Sequence, residues 1–262
     1  FLYAGMENTT TTIFSDGYVI DSTAFVDKNY VNVNAHELAH QWFGNLVTEK
    51  DGNQHWLHEG FATYYAYLAE QHVFGDDHFY WKLYETLQRL AAEVAKGEGQ
   101  SLLNPKASSL TFYEKGAWAL FMLRNEIGDK SFKKGIKNYL KKNQFKNATI
   151  DDFLKEMETA SRKNLSNFRV KWLENKDFPY DKARKELIEK SSSLKLLSDM
   201  ESDLKDAQSD DIDYVKYWND TNSIHLKKHL IENYRTSLPE EIYIKAFESD
   251  TVPIRQALLS GR

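Results

Sequence analysis

His36, Glu37 and His40 in the run HELAH, followed by eighteen residues and then Glu59 in WLHEGFATYY, are the residues of this chain best suited to chemistry. Two imidazoles four positions apart on a helix lie one turn apart and about 40° apart around its axis, so both reach one metal ion from the same face. Glu37 falls to the side of His40, close enough to touch a water on that ion without taking a coordination position. Glu59, from a second helix, supplies the third ligand, so the expected metal set is His36, His40 and Glu59, with Glu37 as the general base. The chain has no cysteine, which excludes thiolate ligands and disulfides and leaves imidazole and carboxylate as its metal chemistry. One zinc ion per chain, held this way, keeps a fourth position for water and can lower the pKa of that water to about 7.

These residues need rigid elements behind them. Apolar periodicity predicts helices over 30–44, 56–73, 76–97, 111–127, 130–143, 150–162 and 165–175. Residues 1–25 mix β-branched and aromatic residues with Gly5 and Gly17, which predicts two or three short strands, with GMEN on an edge strand. Thr111 with Glu114, Thr149 with Asp152 and Ser237 with Glu240 carry helix-start spacing, and the first pair places Tyr113 in the first turn of its helix. After Pro179 the sequence turns charged and serine-rich, with a polar break near 206–211. The stretch SLPEEIYIKAFESDTVPIRQALL then reads as paired antiparallel helices, one pair of an α-solenoid. The expected fold class is mainly α, with a short amino-terminal β segment.

With these residues in view, the sequence resembles the aminopeptidase N family of zinc metallopeptidases, the gluzincins whose pattern is H-E-x-x-H, eighteen residues, E. AGMEN at 4–8 resembles the family's G-x-M-E-N exopeptidase motif, and TFYEKGAWAL at 111–120 resembles the segment carrying its catalytic tyrosine. HELAHQWFGNLVT at 36–48 and LSNFRVKWLENKDFP at 165–179 match it further. The resemblance implies a thermolysin-like zinc aminopeptidase catalytic domain over 1–179 and a helical carboxy-terminal segment over 180–262, the start of an α-solenoid domain being one reading. It also implies an amino-terminal β domain in the full-length protein, ahead of AGMEN. Two departures stand out: His58 where the family has asparagine, and EKDGNQHWLHEG without the usual tryptophan and aspartate.

From the resemblance follow roles. Glu7 is the carboxylate that pairs with a peptide's free α-amine and sets the first peptide bond at the metal, with Ala4, Gly5 and Met6 as its substrate-binding neighbours. Gly5 lets the strand backbone approach the substrate closely. Tyr113 is the phenol that stabilises the oxyanion. The implied activity is zinc-dependent release of amino-terminal residues, Glu37 activating the zinc-bound water, and the implied partners are peptides with a free amino terminus. An endopeptidase has no use for AGMEN; an epoxide hydrolase of the family shares the same zinc set. A non-catalytic scaffold of this fold has no need of His36, Glu37, His40, Glu59 and Tyr113 together.

Composition narrows the remainder. At 41% hydrophobic and rich in aromatics, 262 residues can bury a substantial core. The 34 basic residues are scattered among 39 acidic ones, for a net charge of -5, so no basic face argues for nucleic acid. No run approaches the roughly 18 apolar residues of a membrane helix, and a cytoplasmic or periplasmic location fits equally. His225 and His229 in HLKKH read as a solvated helix face. His55, His58, His72 and His78 lack ligand spacing, His58 being a candidate for outer support of the zinc site. Trp42, Phe43, Trp118 and Phe121 read as core.

Overall fold

The computed structural model describes residues 3–206 and 212–260. Its centre is the helix α2 (Trp56–Phe74), which follows α1 (Val31–Ala39) and the short strand β3 (Val47–Glu49). Residues such as Trp56, Phe61, Ala62, Tyr64 and Ala66 are buried on nearly every face of α2, as expected of a helix that is apolar all round. Asn32, on the first turn of α1, donates to Glu70 Oε2 at 2.7 Å near the far end of α2, so the two helices run antiparallel.

Gly75, at φ +91°, makes the tight reversal from α2 into α3 (Asp76–Ala95), whose first turn carries Asp76 and Asp77 where the helix dipole favours acids. A six-residue π-helical segment, Leu110–Lys115, leads directly into the buried helix α4 (Gly116–Ile127). Gly128, at φ +82°, then turns the chain into α5 (Asp129–Asn143). Strand β4 (Lys146–Ala148) follows, then α6 (Ile150–Ser161), the helical turn α7 (Ser166–Phe168) and a second π-helical segment, Arg169–Glu174. The β segment ahead of α1 is a two-stranded antiparallel ribbon, β1 (Gly5–Met6) against β2 (Ile13–Phe14), so GMEN begins on an edge strand as expected.

Beyond Pro179 the chain is helical: α8 (Tyr180–Lys190), α9 (Ser192–Asp206), α10 (Tyr214–Asn219), α11 (Ile224–Asn233), α12 (Glu240–Phe247) and α13 (Val252–Leu259). These helices dock on α3, where Trp81 Nε1 donates to Ser193 Oγ at 2.9 Å and Asp77 accepts from Ser193 and Ser223. Residues 207–211 of the expected polar break lie outside the described residues. No helix among the described residues is long and apolar enough to cross a membrane.

Local signals fail in several places for identifiable reasons. The zinc-site helix was expected to run to 44 but ends at Ala39, and Gly44 at φ +142° folds the chain back toward β3. Trp42 consequently leaves the core and is 46% exposed. Thr149 and Asp152 do form a reciprocal capping box. Thr111 and Glu114 do not: Ser108 Oγ accepts the Thr111 N–H at 3.2 Å, while Glu114 is engaged by Arg89 at 2.6 Å. Ser237 ends a 3-10 turn, and α12 begins after Pro239 instead. His225 and His229 are not a solvated face; both rings are half-buried against Trp81. Strand β4, paired in parallel with β3 from Val47↔Lys146 to Glu49↔Ala148, carries no periodic signal of its own.

Candidate metal centre

His36 lies in the last turn of α1, and His40 is the residue that closes the helix, its N–H still bonded to the His36 carbonyl at 3.2 Å. The turn that follows holds the His40 ring in place: Nδ1 donates to the Phe43 carbonyl at 3.0 Å, which leaves the lone pair on Nε2. That Nε2 is 3.0 Å from His36 Nε2. Glu59, in the first turn of α2, brings Oε2 to 3.3 Å from His36 Nε2 and 3.5 Å from His40 Nε2.

Three donor atoms separated by 3.0, 3.3 and 3.5 Å match the edges of a tetrahedron around zinc. Ligand bonds of 2.0–2.1 Å at the tetrahedral angle put neighbouring donors about 3.3 Å apart. Glu59 Oε2 is also buried without a hydrogen-bond partner, an orphan that a cation would satisfy. The donor set, the His40 tautomer and the orphaned oxygen all fit zinc. Although burial opposes ionisation, His36 and His40 hold the Glu59 carboxyl well below the usual carboxylate range.

Glu37 projects from the same helix into the cleft. Burial, opposed by His40 and reinforced by the Glu7 and Glu59 carboxylates, pushes its carboxyl up to about 7. Strand β1 passes directly over it: a Cβ on Gly5 would sit 2.2 Å from Glu37 Oε1, so any side chain there would displace the carboxylate or the strand. The expected approach of Gly5 was to the substrate; the contact it makes in the structure is with Glu37. Glu7 offers a carboxylate oxygen within 4.8 Å of donor atoms of Glu37 and His40. The Asn45 and Gln41 side chains fix its backbone by donating to the Glu7 carbonyl at 2.8 and 3.3 Å.

Tyr113 sits in the π-helical segment, its ring stacked on that of His36 at 5.5 Å and 5°. Burial, with Glu59, Glu37 and Glu7 nearby, raises its phenol above the usual range, so the OH remains a proton donor at neutral pH. A cavity of about 730 Å³ takes in Ala4, Gly5, Met6, Glu7, His36, Glu37, Glu59 and Tyr113. Of the residues predicted for the site, His40 alone is absent from its lining, lying 1% exposed beneath it.

Two further histidines lie near Glu59. His58 Nε2 accepts the Glu49 N–H at 2.8 Å, tying α2 to β3. His55 stands beside Glu59, with Nε2 3.8 Å from Glu59 Oε1 and Nδ1 3.1 Å from Glu49 Oε2. Glu49, His55 and His58 cluster closely enough to suggest a second metal. The His58 ring argues against it, because a ligating imidazole donates its other nitrogen outward and this one faces a donor.

The sequence profile of the "Peptidase family M1 domain" matches residues 1–172. The chain belongs to peptidase family M1. It is 32% identical over 194 residues to Aminopeptidase N of Lactobacillus delbrueckii subsp. lactis, covering 68% of this chain and 23% of that protein. Leucyl aminopeptidase of Saccharolobus solfataricus is 32% identical over 191 residues, covering 68% of this chain and 24% of its own. The M1 chain thus spans about a quarter of the length of these relatives. Its fold is similar to the M1 zinc metallopeptidase of Deinococcus radiodurans, solved with a Tyr-Ser-Ala substrate, at a TM-score of 0.53 and 26% identity over 67% of this chain and 38% of that one.

Proposed function

We propose that this M1 chain carries the catalytic centre of a zinc-dependent aminopeptidase, which hydrolyses the first peptide bond of peptides with a free amino terminus. The observation that carries this reading is that Glu7 and Glu37 share one cluster with His40, beside the His36, His40 and Glu59 donor set. One zinc ion would be held by His36, His40 and Glu59; when bound, zinc supplies Lewis acidity and brings the ionisation of water near neutrality.

The side chains divide the remaining work. Glu7 pairs with the α-ammonium of the substrate, and this contact places the first carbonyl beside the ligands. Glu37 takes the proton of the attacking water and passes it to the departing amine. The Tyr113 phenol donates to the oxygen on which negative charge develops, worth roughly 3 kcal/mol for one such donor. The Tyr-Ser-Ala complex of the Deinococcus relative supports a peptide as the substrate class.

An endopeptidase has no use for a carboxylate that holds a free amine, and here a Glu7 carboxylate oxygen lies within 4.8 Å of donor atoms of Glu37 and His40. The test is a pair of alanyl fluorogenic amides, one with a free amine and one acetylated, assayed with the zinc-loaded protein and its Glu7→Gln and Glu37→Gln variants. Only the free amine should be cleaved, Glu37→Gln should bind zinc without turnover, and Glu7→Gln should lose the preference for the free amine. Equal cleavage of the two amides by the unaltered protein would overturn the reading.

A further inference from the structure

The cleft continues beyond the metal donors, away from Glu7. At one end, Gln41 and Asn45, past the carboxy-terminal end of α1, hold the Glu7 backbone. The other end lies toward Asn32 and Glu70, where the first turn of α1 meets the last turns of α2. Thr63 and Tyr67, one and two turns beyond Glu59 on α2, line the cavity in that direction, and α3 adds Lys82 and Arg89 as a wall. A peptide with its amine at Glu7 therefore sends the residue after its first bond toward Thr63, Tyr67 and Lys82.

The polar groups there are unevenly engaged. Glu114 is taken by Arg89 at 2.6 Å, and Glu70 accepts from Asn32 at 2.7 Å and faces His78 at 3.5 Å. The Lys82 ammonium stands 5.8 Å over the Tyr67 ring and forms a long ion pair with Glu70 Oε1 at 4.0 Å, without a hydrogen bond, so its N–H donors remain open to a ligand. The Thr63 hydroxyl, on a residue only 6% exposed, is buried without a hydrogen-bond partner. A buried hydroxyl left unpaired is costly, and a ligand oxygen at this wall would relieve it.

We propose that this end of the cleft is a carboxylate subsite for the residue following the scissile bond, with Lys82 as its charged partner and the Thr63 hydroxyl as a donor. The inference rests on the aminopeptidase reading above. The carboxylate has two sources of the same chemistry: the side chain of an aspartate or glutamate in second position, or the α-carboxylate of a dipeptide. The acids already at this wall face cationic partners, Glu114 with Arg89 and Glu70 with Lys82 beside His78, so neither calls for a further cation, which favours an incoming anion.

Calorimetric titration of the zinc-loaded Glu37→Gln variant separates binding from turnover. Ala-Asp-amide should bind about tenfold tighter than Ala-Asn-amide if a side-chain carboxylate is read, and Ala-Ala about tenfold tighter than Ala-Ala-amide if an α-carboxylate is read. Adding Lys82→Met should abolish the preference and Lys82→Arg should restore most of it. Thr63→Val, which keeps shape and removes the hydroxyl, should weaken the acidic peptide selectively. The subsite is overturned if neither pair shows a preference, or if the preference survives Lys82→Met. Failure of all four peptides to bind the folded, zinc-loaded variant would overturn the aminopeptidase reading itself.

Discussion

Gly60 and Gly116 meet backbone to backbone: a Cβ added to Gly116 would fall 2.8 Å from the Gly60 Cα, and one added to Gly60 would fall 2.9 Å from the Gly116 Cα. Gly60 follows Glu59, the proposed ligand, and Gly116 lies one turn after Tyr113, so this contact sets how closely the phenol approaches the proposed metal donors. Gly60→Ala or Gly116→Ala must push α2 and α4 apart, at a cost of about 1–3 kcal/mol for overpacking. Either variant is expected to melt several degrees lower and to lose turnover while still folding. Thermal melts unchanged from the parent would show that the crossing tolerates a methyl group.

Gly5→Ala puts a Cβ 2.2 Å from Glu37 Oε1, so either the carboxylate or strand β1 must move. Both are parts of the proposed chemistry. Turnover should fall by about 10²–10⁴-fold, as for loss of a general base, with zinc content at the parental level. Metal analysis alongside kinetics checks it, and near-parental kcat in Gly5→Ala would disprove the coupling of β1 to Glu37.

Lys115 is 2% exposed, and its ammonium donates to the carbonyls of Gln100, Asn175 and Lys176 at 2.6, 2.7 and 3.1 Å. Lys115→Met keeps the aliphatic stem and leaves three acceptors without their donor. The expected loss is about 3 kcal/mol or more, read from the urea midpoint. Because Lys115 closes the π-helical segment carrying Tyr113, loosened packing there should also reduce turnover.

Burial pushes His229 down to about 4, and burial with nearby His78, Lys228 and Lys82 does the same to His225, Asp77 opposing. An unfolded histidine titrates near 6.5. Between about pH 6.5 and 4 the unfolded chain binds protons that the folded seam refuses, so stability falls as pH falls through that window and is flat above it. Each ring contributes at most about 1.4 kcal/mol per pH unit. Melting curves from pH 7.5 to 4.5 should show the decline, with a shallower slope in His229→Gln. A slope equal to the parent's would place the titration elsewhere.

The spacing of His36, Glu37 and His40 made their common face legible without coordinates, because one helical turn is local geometry that residue spacing alone determines, whereas Glu59 reaches them from a second helix. The main helices were legible for the same reason, as was the Thr149 and Asp152 cap. The Thr111 cap was misread because Ser108, three residues earlier, competes for the same N–H, and a serine's reach is not visible in spacing.

Other features depend on which surfaces meet. The pairing of β3 with β4 joins residues about a hundred positions apart, and β4 has no alternation of its own to announce it. His55, not His58, stands beside Glu59 because the turn ahead of α2 aims its ring there while His58 is drawn to the Glu49 N–H. Thr63 and Tyr67 could have been found at i+4 and i+8 from Glu59, but Lys82 and Arg89 reach the cleft only through the docking of α3. The sequence by itself determined the helical frame and the shared helix face of His36, Glu37 and His40, which follow from short-range periodicity. Only the tertiary structure decided that Gly5 lies on Glu37, that Phe43 sets the His40 tautomer, and what charge lines the far end of the cleft, since these depend on side-chain direction and long-range packing.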